Sequence, residues 1–471
     1  MYNILFVIFV KKIQKLDLRK KLCYIYIKNR KRRDVSMLID ITVKNFRSFK
    51  NETVFSMEVD KKDILEDINT VKIRQNKKNH KKELLKSAVV IGGNASGKSN
   101  FIDILRAFKH YLLVKGKKKF RDDNFKLSNK KENTEIEINI LIDDEIYNYL
   151  LIIDFHNKKI VSEKFYIINE RKQEAVYIRE NDKIMSYDKK IFSNYDTTLQ
   201  FINENLNEYD SVMTRIIEYK IPKEIKKFID YLEEDVIILT NNKINFSKIG
   251  KLFYESPKIK DDFLNYLKRF GFPIENINII KRKIPEDLLS FVENFKASIL
   301  KSDSQKIDDL EEKDVYDLEF IYKNDNGEEY SLSLSEQSSG TRKIIYLFIP
   351  MYELLLNGGV LVIDELDETL HYKLVYNIIK MFNSIEYNKK NAQIIFSSHN
   401  LLLLDLSLFR RDQIWFIENN KIFEGSSLYS LSDMKGVRKD DNILRDYLNG
   451  FFGGLPNVNQ FGVNLWLEKK E

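Results

Sequence analysis

Residues 92–99 read Gly-Gly-Asn-Ala-Ser-Gly-Lys-Ser and match the spacing G-x-x-x-x-G-K-[ST]. A glycine-bearing loop with this spacing directs backbone N–H groups at a phosphate, and the dipole of the following helix attracts the same anion. We expect Lys98 to reach the β- and γ-phosphates and the Ser99 hydroxyl to bind Mg²⁺. The residues expected to contact the nucleotide are Gly92, Gly93, Asn94, Ala95, Ser96, Gly97, Lys98, Ser99 and Asn100.

Two acidic residues follow an apolar run much later in the chain. The run Val360-Leu361-Val362-Ile363 is typical of a buried strand, and Asp364 and Glu365 come directly after it. If this strand ends beside the phosphate loop, Asp364 lies near Mg²⁺ and Glu365 polarises a water for attack on the γ-phosphate. A buried strand that merely ends in exposed acids is the alternative, and it would be common in the absence of a phosphate loop.

A histidine occupies the equivalent position after a third apolar run. Residues 393–398 (Gln-Ile-Ile-Phe-Ser-Ser) predict another strand, and His399 follows it. A neutral imidazole at this place can hydrogen-bond the γ-phosphate and respond to its presence. The alternative is an ordinary surface histidine in a loop.

These side chains converge only if the strands that precede them are neighbours in one sheet. Residues 87–91 (Ser-Ala-Val-Val-Ile) predict a short buried strand, and apolar residues after Ser99 recur at helical spacing. After Ser335 the chain alternates between helical and strand-like segments, which indicates a parallel sheet. Ligands of such sheets bind at the carboxyl ends of the strands, where Lys98, Asp364 and His399 are all expected.

Residues 335–342 (Ser-Glu-Gln-Ser-Ser-Gly-Thr-Arg) precede another predicted helix. Small residues at a helix N-terminus can present N–H groups to a phosphate. A serine-rich N-cap of purely structural purpose is the alternative interpretation.

The remaining patterns divide the chain into five segments. Residues 1–36 form a basic extension, and residues 37–134 form the first part of the nucleotide-binding head, with a hairpin over residues 38–59. Residues 135–198 contain strand-like runs that predict an antiparallel side sheet, and residues 199–317 are predominantly helical. Residues 318–471 complete the head and begin with a hairpin that turns at Asn324-Asp325-Asn326-Gly327.

Charge and composition limit the classes of partner. The chain has a formal net charge of +7, but residues 1–36 contain eleven Lys and Arg against two Asp. Residues 37–471 therefore sum to −2, which gives no support for a nucleic-acid partner. The single cysteine, Cys23, indicates a reducing compartment, and the apolar stretch of nine residues at 2–10 is too short to cross a bilayer.

We therefore expect a cytoplasmic protein without a membrane segment. We interpret Met37 as its natural start, with a native basic or amphipathic arm over residues 1–36 as the alternative.

Taken together, these motifs resemble the ABC-type ATPases of the SMC, RecF and OLD clade. They are most similar to the small AAA-family ATP-binding proteins found in prokaryotic phage-defence loci. The resemblance covers about residues 37–458 and includes Asn45-Phe46-Arg47-Ser48, Glu368-Thr369-Leu370-His371, Tyr429 to Asp433 and Leu444 to Gly450. It implies an α/β P-loop NTPase head with a mixed central sheet, an antiparallel side sheet and a mostly helical insertion.

The resemblance also implies a homodimer that holds two molecules of ATP, with Mg²⁺, between its protomers. The phosphate loop of one protomer would face Ser338 and Gly340 of the other. Ser339 stands where that family's signature has a glycine, which would loosen the approach of the backbone to the γ-phosphate.

Three functions remain open from the sequence. They are an ATP-hydrolysing switch that signals to an effector protein, a DNA-binding ATPase of the RecF or SMC type, and a nucleotide-binding module without turnover.

Overall fold

The computed structural model describes residues 35–60, 69–74, 81–128, 131–169, 172–219, 221–240, 246–283, 314–419, 423–438 and 441–455. Residues 1–34, most of the basic extension, lie outside these ranges. The described residues divide into two units: a smaller one within Asn242–Met351, and a larger one within Arg33–Asn241 and Tyr352–Glu471. Within the described residues, no helix combines the length and apolar character needed to cross a membrane.

The described residues form both strands and helices, with two runs of consecutive strands before and after the first helix and mixed elements later in the chain. The strands are β1 (Ser36–Lys44), β2 (Thr53–Ser56), β3 (Thr70–Arg74), β4 (Lys81–Leu85), β5 (Ser87–Ile91), β6 (Thr134–Ile142), β7 (Glu145–Asp154), β8 (Lys159–Asn169), β9 (Lys172–Glu180), β10 (Lys183–Tyr187), β11 (Val236–Leu239), β12 (Asn276–Lys283), β13 (Asp314–Lys323), β14 (Glu329–Ser333), β15 (Val360–Ile363), β16 (Gln393–Ser398), β17 (Ile414–Glu418) and β18 (Ser427–Ser430). The helices are α1 (Lys98–Leu113), α2 (Asp196–Glu204), α3 (Val212–Ile216), α4 (Lys223–Asp230), α5 (Phe246–Glu255), α6 (Pro257–Arg269), α7 (Ser339–Asn357), α8 (Tyr372–Asn383) and α9 (Ile443–Leu448).

A six-stranded central sheet in the larger unit has the order β11-β15-β16-β5-β17-β18. Its first five strands run parallel to their neighbours, and the edge strand β18 is antiparallel. Strands β5 and β15 are buried along their whole length, which explains why each is an almost uninterrupted apolar run. The mixed central sheet predicted from the sequence is confirmed.

The predicted antiparallel side sheet is also confirmed, and it is larger than expected. Its seven strands have the order β10-β9-β8-β7-β6-β1-β2. The predicted hairpin of β1 and β2 forms, and β1 pairs on its other side with β6. In that pairing Ile41 lies opposite Ile138 and Val43 opposite Ile136, and all four are buried. The alternation of β1 therefore extends the apolar face of the side sheet.

The side chain of Gln393, at the start of β16, connects the central sheet to β1. Its Oε1 accepts the Leu38 N–H at 2.7 Å, and its Nε2 donates to the carbonyls of Leu38 and Leu85, both at 3.0 Å. The register of β1 against β6 shifts between Leu38 and Asp40. Gln393 thus satisfies backbone groups at an irregular point of the ladder.

The segment 199–317, interpreted as predominantly helical, contains α2 to α6 but also two strands. Strand β11 has the sequence Val-Ile-Ile-Leu and joins the edge of the central sheet beside β15. Strand β12 pairs with β13. Short β-branched runs between helical segments carry little periodicity, which is why the sequence did not reveal them. Residues 284–313 of this segment are not described.

The smaller unit contains α5, α6 and the antiparallel sheet β12-β13-β14. Gly250 of α5 packs against this sheet, where an added Cβ would lie 2.8 Å from the Tyr316 carbonyl oxygen. The turn predicted at residues 324–327 connects β13 to β14, so that Lys323 pairs with Glu329. Gly327 adopts φ +82°, which favours glycine at this position.

A buried ion pair lies in the larger unit, where the Arg179 and Glu163 side chains are fully excluded from solvent. Their guanidinium N–H and carboxylate oxygen are 2.5 Å apart, and Arg179 also donates to the carbonyls of Asn207 and Asp210. Glu163 accepts the Val212 N–H at 3.0 Å. This pair therefore attaches the start of α3 to the side sheet.

Candidate functional site

Two glycines of the loop between β5 and α1 occupy positions where neighbouring atoms leave no room for a side chain. Gly97 adopts φ +114°, and an added Cβ there would lie 2.5 Å from Ser426 Oγ and 2.7 Å from Ser48 Oγ. A Cβ on Gly92 would lie 2.2 Å from the Ile417 carbonyl oxygen of β17. Ser426 Oγ donates to the Ser96 carbonyl at 2.6 Å. The loop is thus held closely by neighbouring backbone and hydroxyl groups.

Lys98 is the first residue of α1, and its side chain folds back over the loop. Its ammonium donates to the carbonyls of Gly92 at 2.9 Å and Gly93 at 2.7 Å. Burial lowers the pKa of Lys98 from its ordinary value of 10.5, although Glu365, Asp364 and Asp367 oppose the shift through their charges. These carboxylates are therefore close enough to act on the lysine.

The other predicted loop residues surround the N-terminus of α1. Ser99 and Asn100 lie in its first turn, whose three residues include no acid. Asn94, Ala95 and Ser99 are exposed. Backbone N–H groups in the first turn of a helix have no partner within that helix. This end of α1 is consequently suited to an anionic ligand.

Asp364 and Glu365 follow β15 directly and are held by one hydroxyl group. Ser397 Oγ donates to Asp364 Oδ1 at 2.6 Å and accepts the Glu365 N–H at 2.8 Å. Glu365 adopts φ +53°, an uncommon conformation for a residue with a side chain. Strained backbone of this kind occurs preferentially at functional sites.

His399 lies next to Glu365 at the end of the neighbouring strand. Its Nε2 is 3.3 Å from Glu365 Oε1. Strand β16 pairs with β15 on one side, where Phe396 lies opposite Ile363, and with β5 on the other, where Ser398 lies opposite Ile91. The order of the sheet therefore brings the ends of all three strands together. The structure places Asp364, Glu365 and His399 together at these strand ends, and both carboxylates act on the nearby Lys98 through their charges.

Ser338 and Gly340 lie in the smaller unit, at the start of α7. Ser338 Oγ accepts the Thr341 N–H at 3.0 Å and lies 2.8 Å from Thr341 Oγ1. This is the geometry of a serine N-cap, the structural alternative raised from the sequence. The side chain of Ser338 remains exposed, and a role toward a nucleotide stays a prediction.

The side chains at this site fit ATP and Mg²⁺ chemically. Mg²⁺ prefers hard oxygen ligands, and Asp364 and Ser99 offer a carboxylate and a hydroxyl. The first turn of α1 contains no acidic residue, so its unpaired backbone N–H groups face no like charge that would compete with a phosphate group. The ammonium of Lys98 supplies the positive charge that a triphosphate requires.

Two features of the site were missed from the sequence. Ser397 was included only as part of a predicted strand, because a buried serine has no spacing that distinguishes it. The motif recognised at Leu444 to Gly450 stops short of Gly454, whose carbonyl accepts the Gly93 N–H at 3.1 Å. Gly454 N–H in turn donates to Glu418 Oε2 at 2.8 Å. The Gly453-Gly454 pair is the sequence signal that could have suggested a tight turn, and both residues adopt positive φ.

Comparison with protein families gives one match, over residues 87–405, to a family described as "AAA domain, putative AbiEii toxin, Type IV TA system". Among solved structures, the SMC head domain from Thermotoga maritima is 12% identical, covering 83% of this chain and 98% of that chain, with a TM-score of 0.38. The Smc head domain with an extended coiled coil bound to the C-terminal domain of ScpA, derived from Pyrococcus furiosus, is 13% identical, covering 84% of this chain and 96% of that chain, with a TM-score of 0.40.

The recombination mediator protein RecF bound to ATP is 13% identical, covering 85% of this chain and 100% of that chain, with a TM-score of 0.35. A search among curated proteins found no match.

Proposed function

This chain belongs to the AAA-domain family that its residues 87–405 match, and from that premise we propose that it binds ATP with Mg²⁺ and hydrolyses it. The family match agrees with the P-loop ATPase fold expected from the motifs. The observation that best supports turnover is the pairing of Glu365 with His399 at 3.3 Å, beside the segment that contains Lys98.

Binding of the triphosphate is assigned to the loop and the start of α1. Backbone N–H groups of residues 94–99 hold the phosphates, and Lys98 moves part of its hydrogen bonding from the Gly92 and Gly93 carbonyls to phosphate oxygens. Ser99 and Asp364 hold Mg²⁺, which neutralises charge on the phosphates when it is bound.

Hydrolysis is assigned to Glu365 and His399. Glu365 accepts a proton from the attacking water as the water oxygen bonds to the γ-phosphorus and the bond to the β–γ bridging oxygen breaks, so that ADP leaves. His399 donates a hydrogen bond to the γ-phosphate. A neutral imidazole has one N–H, so donation to the phosphate replaces donation to Glu365 and couples the presence of that phosphate to the orientation of the base.

The substitution Glu365→Gln tests this assignment. It keeps the size of the side chain and removes the proton acceptor, so it should lower turnover by about two to four orders of magnitude, the usual range for a general base. ATP binding should persist. A Glu365→Gln protein that hydrolyses ATP at the wild-type rate would refute the assignment.

We further propose that two protomers close around ATP, with Ser338 and Gly340 of each facing the phosphate loop of the other. Mixing two inactive variants, Lys98→Ala and Ser338→Arg, tests this arrangement. Each variant alone has two defective sites per dimer, whereas a mixed dimer contains one site with both parts intact. Recovery of ATP hydrolysis on mixing supports action between protomers, and its absence, with dimers still formed in size-exclusion chromatography, contradicts it.

The state of the dimer is proposed to reach an effector protein through the segment from about residue 135 to residue 328. A DNA-binding ATPase is the other function raised from the sequence, and hydrolysis measured with and without DNA separates the two. DNA stimulation with a steep dependence on salt would favour that alternative. A rate unaffected by DNA agrees with the net charge of −2 on residues 37–471.

A further inference from the structure

The Ser397 hydroxyl contacts both acidic residues of the site, and neither the motifs nor the comparisons assign it a role. It is completely buried and lies near the carboxyl end of β16. Its hydroxyl donates to Asp364 Oδ1 at 2.6 Å and accepts the Glu365 N–H at 2.8 Å. One hydroxyl group therefore contacts both acidic residues at the end of the neighbouring strand β15.

We infer that Ser397 is a positioning residue that sets the direction of the Asp364 carboxylate toward Mg²⁺ and the backbone turn at Glu365. This inference rests on the proposed function, because it assigns no ligand beyond ATP and Mg²⁺. A hydrogen bond to one oxygen fixes the rotation of a carboxylate, and thereby the direction of its second oxygen. Partners of this kind orient metal ligands and tune their affinity.

The contact to the Glu365 N–H has a separate consequence. Glu365 has φ +53°, a conformation that is costly for a residue with a side chain. The hydrogen bond from its N–H to Ser397 is a local contact that favours this conformation over extended backbone. The same conformation leaves Glu365 Oε1 3.3 Å from His399 Nε2. Ser397 therefore links the geometry of the metal ligand to that of the acid–histidine pair.

The chain offers a matched control for the loss of a buried serine hydroxyl. Ser87 lies on β5, the strand adjacent to β16, and is completely buried. Its Oγ donates to Asn383 Oδ1 at 2.9 Å and accepts from Gln413 Nε2 at 2.8 Å. Ser87 and Ser397 each make one donated and one accepted hydrogen bond in the same sheet. Ser87 begins its strand, whereas Ser397 is near the end of its own.

The experiment measures Mn²⁺ binding in the presence of ATP, from the decrease of the free Mn²⁺ signal in electron paramagnetic resonance. It compares the full-length wild type with Ser397→Ala, Ser397→Thr and Ser87→Ala. Ser397→Ala should weaken Mn²⁺ binding by about tenfold to a hundredfold, the usual effect of removing a partner of a metal ligand. Ser397→Thr keeps a hydroxyl and should bind Mn²⁺ nearly as the wild type does, as should Ser87→Ala.

The rate of ATP hydrolysis, measured on the same proteins, separates the two contacts. In Ser397→Ala, saturating Mg²⁺ should restore occupancy of the metal site but not the full kcat, because the Glu365 N–H has lost its acceptor. Wild-type Mn²⁺ affinity in Ser397→Ala overturns the inference. An equal loss in Ser397→Ala and Ser87→Ala also overturns it, because the effect would then come from any buried hydroxyl of the sheet.

Two further outcomes are distinguishable. If Ser397→Ala does not fold, Ser397→Cys replaces it, since a thiol is a weak donor of similar size; wild-type Mn²⁺ affinity in that variant overturns the inference. If the wild type binds Mn²⁺ with ATP but does not hydrolyse ATP, the proposed turnover fails while the positioning role is still measured. A wild type that binds no Mn²⁺ with ATP overturns both, because no ion is then positioned.

Discussion

His399 Nε2 lies 3.3 Å from Glu365 Oε1, and the two residues directly follow the adjacent parallel strands β16 and β15. When two groups act as a unit, removing either one already causes most of the loss of rate, so removing the second adds less than its own single effect. We expect His399→Ala to lower kcat by about tenfold to a hundredfold and Glu365→Gln to lower it further. The double variant should be no slower than Glu365→Gln alone.

The measurement is kcat at saturating ATP and Mg²⁺ for both single variants and the double variant. His371 provides a control, because its Nδ1 accepts the Lys373 N–H at the start of α8 and its ring lies outside the pair. If kcat of the double variant falls by the product of the two single fold-losses, His399 and Glu365 act independently.

Lys98 should make stability depend on pH in a defined direction. Burial lowers its pKa from the ordinary value of 10.5, so between its folded pKa and 10.5 the unfolded chain binds more protons than the folded one. The free energy of unfolding of the wild type should therefore rise with pH in that window, relative to Lys98→Met. Urea unfolding without nucleotide, at a series of pH values up to about 10, measures this difference.

The control for this experiment is Lys126→Met, which removes the exposed ammonium of a pair with Asp122. Both substitutions remove one lysine charge, so the comparison separates the loss of a buried ammonium from the loss of an exposed one. A difference between wild type and Lys98→Met that falls as pH rises would contradict the burial of the Lys98 charge.

The phosphate loop, β15 and β16 were predictable because each is a local pattern of a few residues. The loop has fixed spacing around Gly97 and Lys98, and the strands are short buried runs that end in polar residues. Asp364 and His399 could be placed at the same edge because parallel strands end on the same side of a sheet. For those residues, sequence and general rules of topology were sufficient.

The rest depended on tertiary contacts that leave no local pattern. The amide of Gln393 replaces backbone partners of Leu38, which no periodicity indicates. Strand β11 acquires its partner from β15, more than a hundred residues later in the chain. Ser397 is chemically ordinary, and its importance comes from lying beside Asp364. Pairing between distant segments therefore decided what could not be predicted.

Removing one member of the Arg179–Glu163 pair should strongly destabilise the protein, because neither side chain contacts water. Replacing one member leaves a buried charge without its partner, which costs about 3–5 kcal/mol. We expect Arg179→Met to lower the free energy of unfolding of the larger unit by this amount in urea denaturation. Lys226→Met is the matched control in the same unit: its ion pair with Asp230, at 3.0 Å, is exposed and should contribute about 1 kcal/mol or less. Equal losses in the free energy of unfolding of the two variants would contradict the larger cost expected for the buried pair.

The turn at Gly453 should control how tightly the phosphate loop binds its ligand. Gly453 has φ +71°, and an added Cβ would lie 2.6 Å from both Glu418 Oε2 and Tyr429 OH. Glu418 accepts the Gly454 N–H, and the Gly454 carbonyl accepts the Gly93 N–H. Gly453→Ala should displace this turn and remove the contact to the loop. Because a hydrogen bond contributes about 1 kcal/mol, ATP affinity should fall about fivefold.

Gly436→Ala isolates this effect from backbone strain. Gly436 has φ +86°, so alanine there meets a similar conformational cost, but no atom lies within 4 Å of the added Cβ. Both variants should therefore lose thermal stability, Gly453→Ala more because its Cβ also meets Glu418 and Tyr429, while ATP affinity, measured by calorimetry, should fall only in Gly453→Ala. If Gly453→Ala binds ATP as tightly as the wild type, the contact between Gly454 and Gly93 does not shape the loop. If Gly436→Ala loses as much ATP affinity as Gly453→Ala, the effect comes from general destabilisation and not from the contact to Gly93.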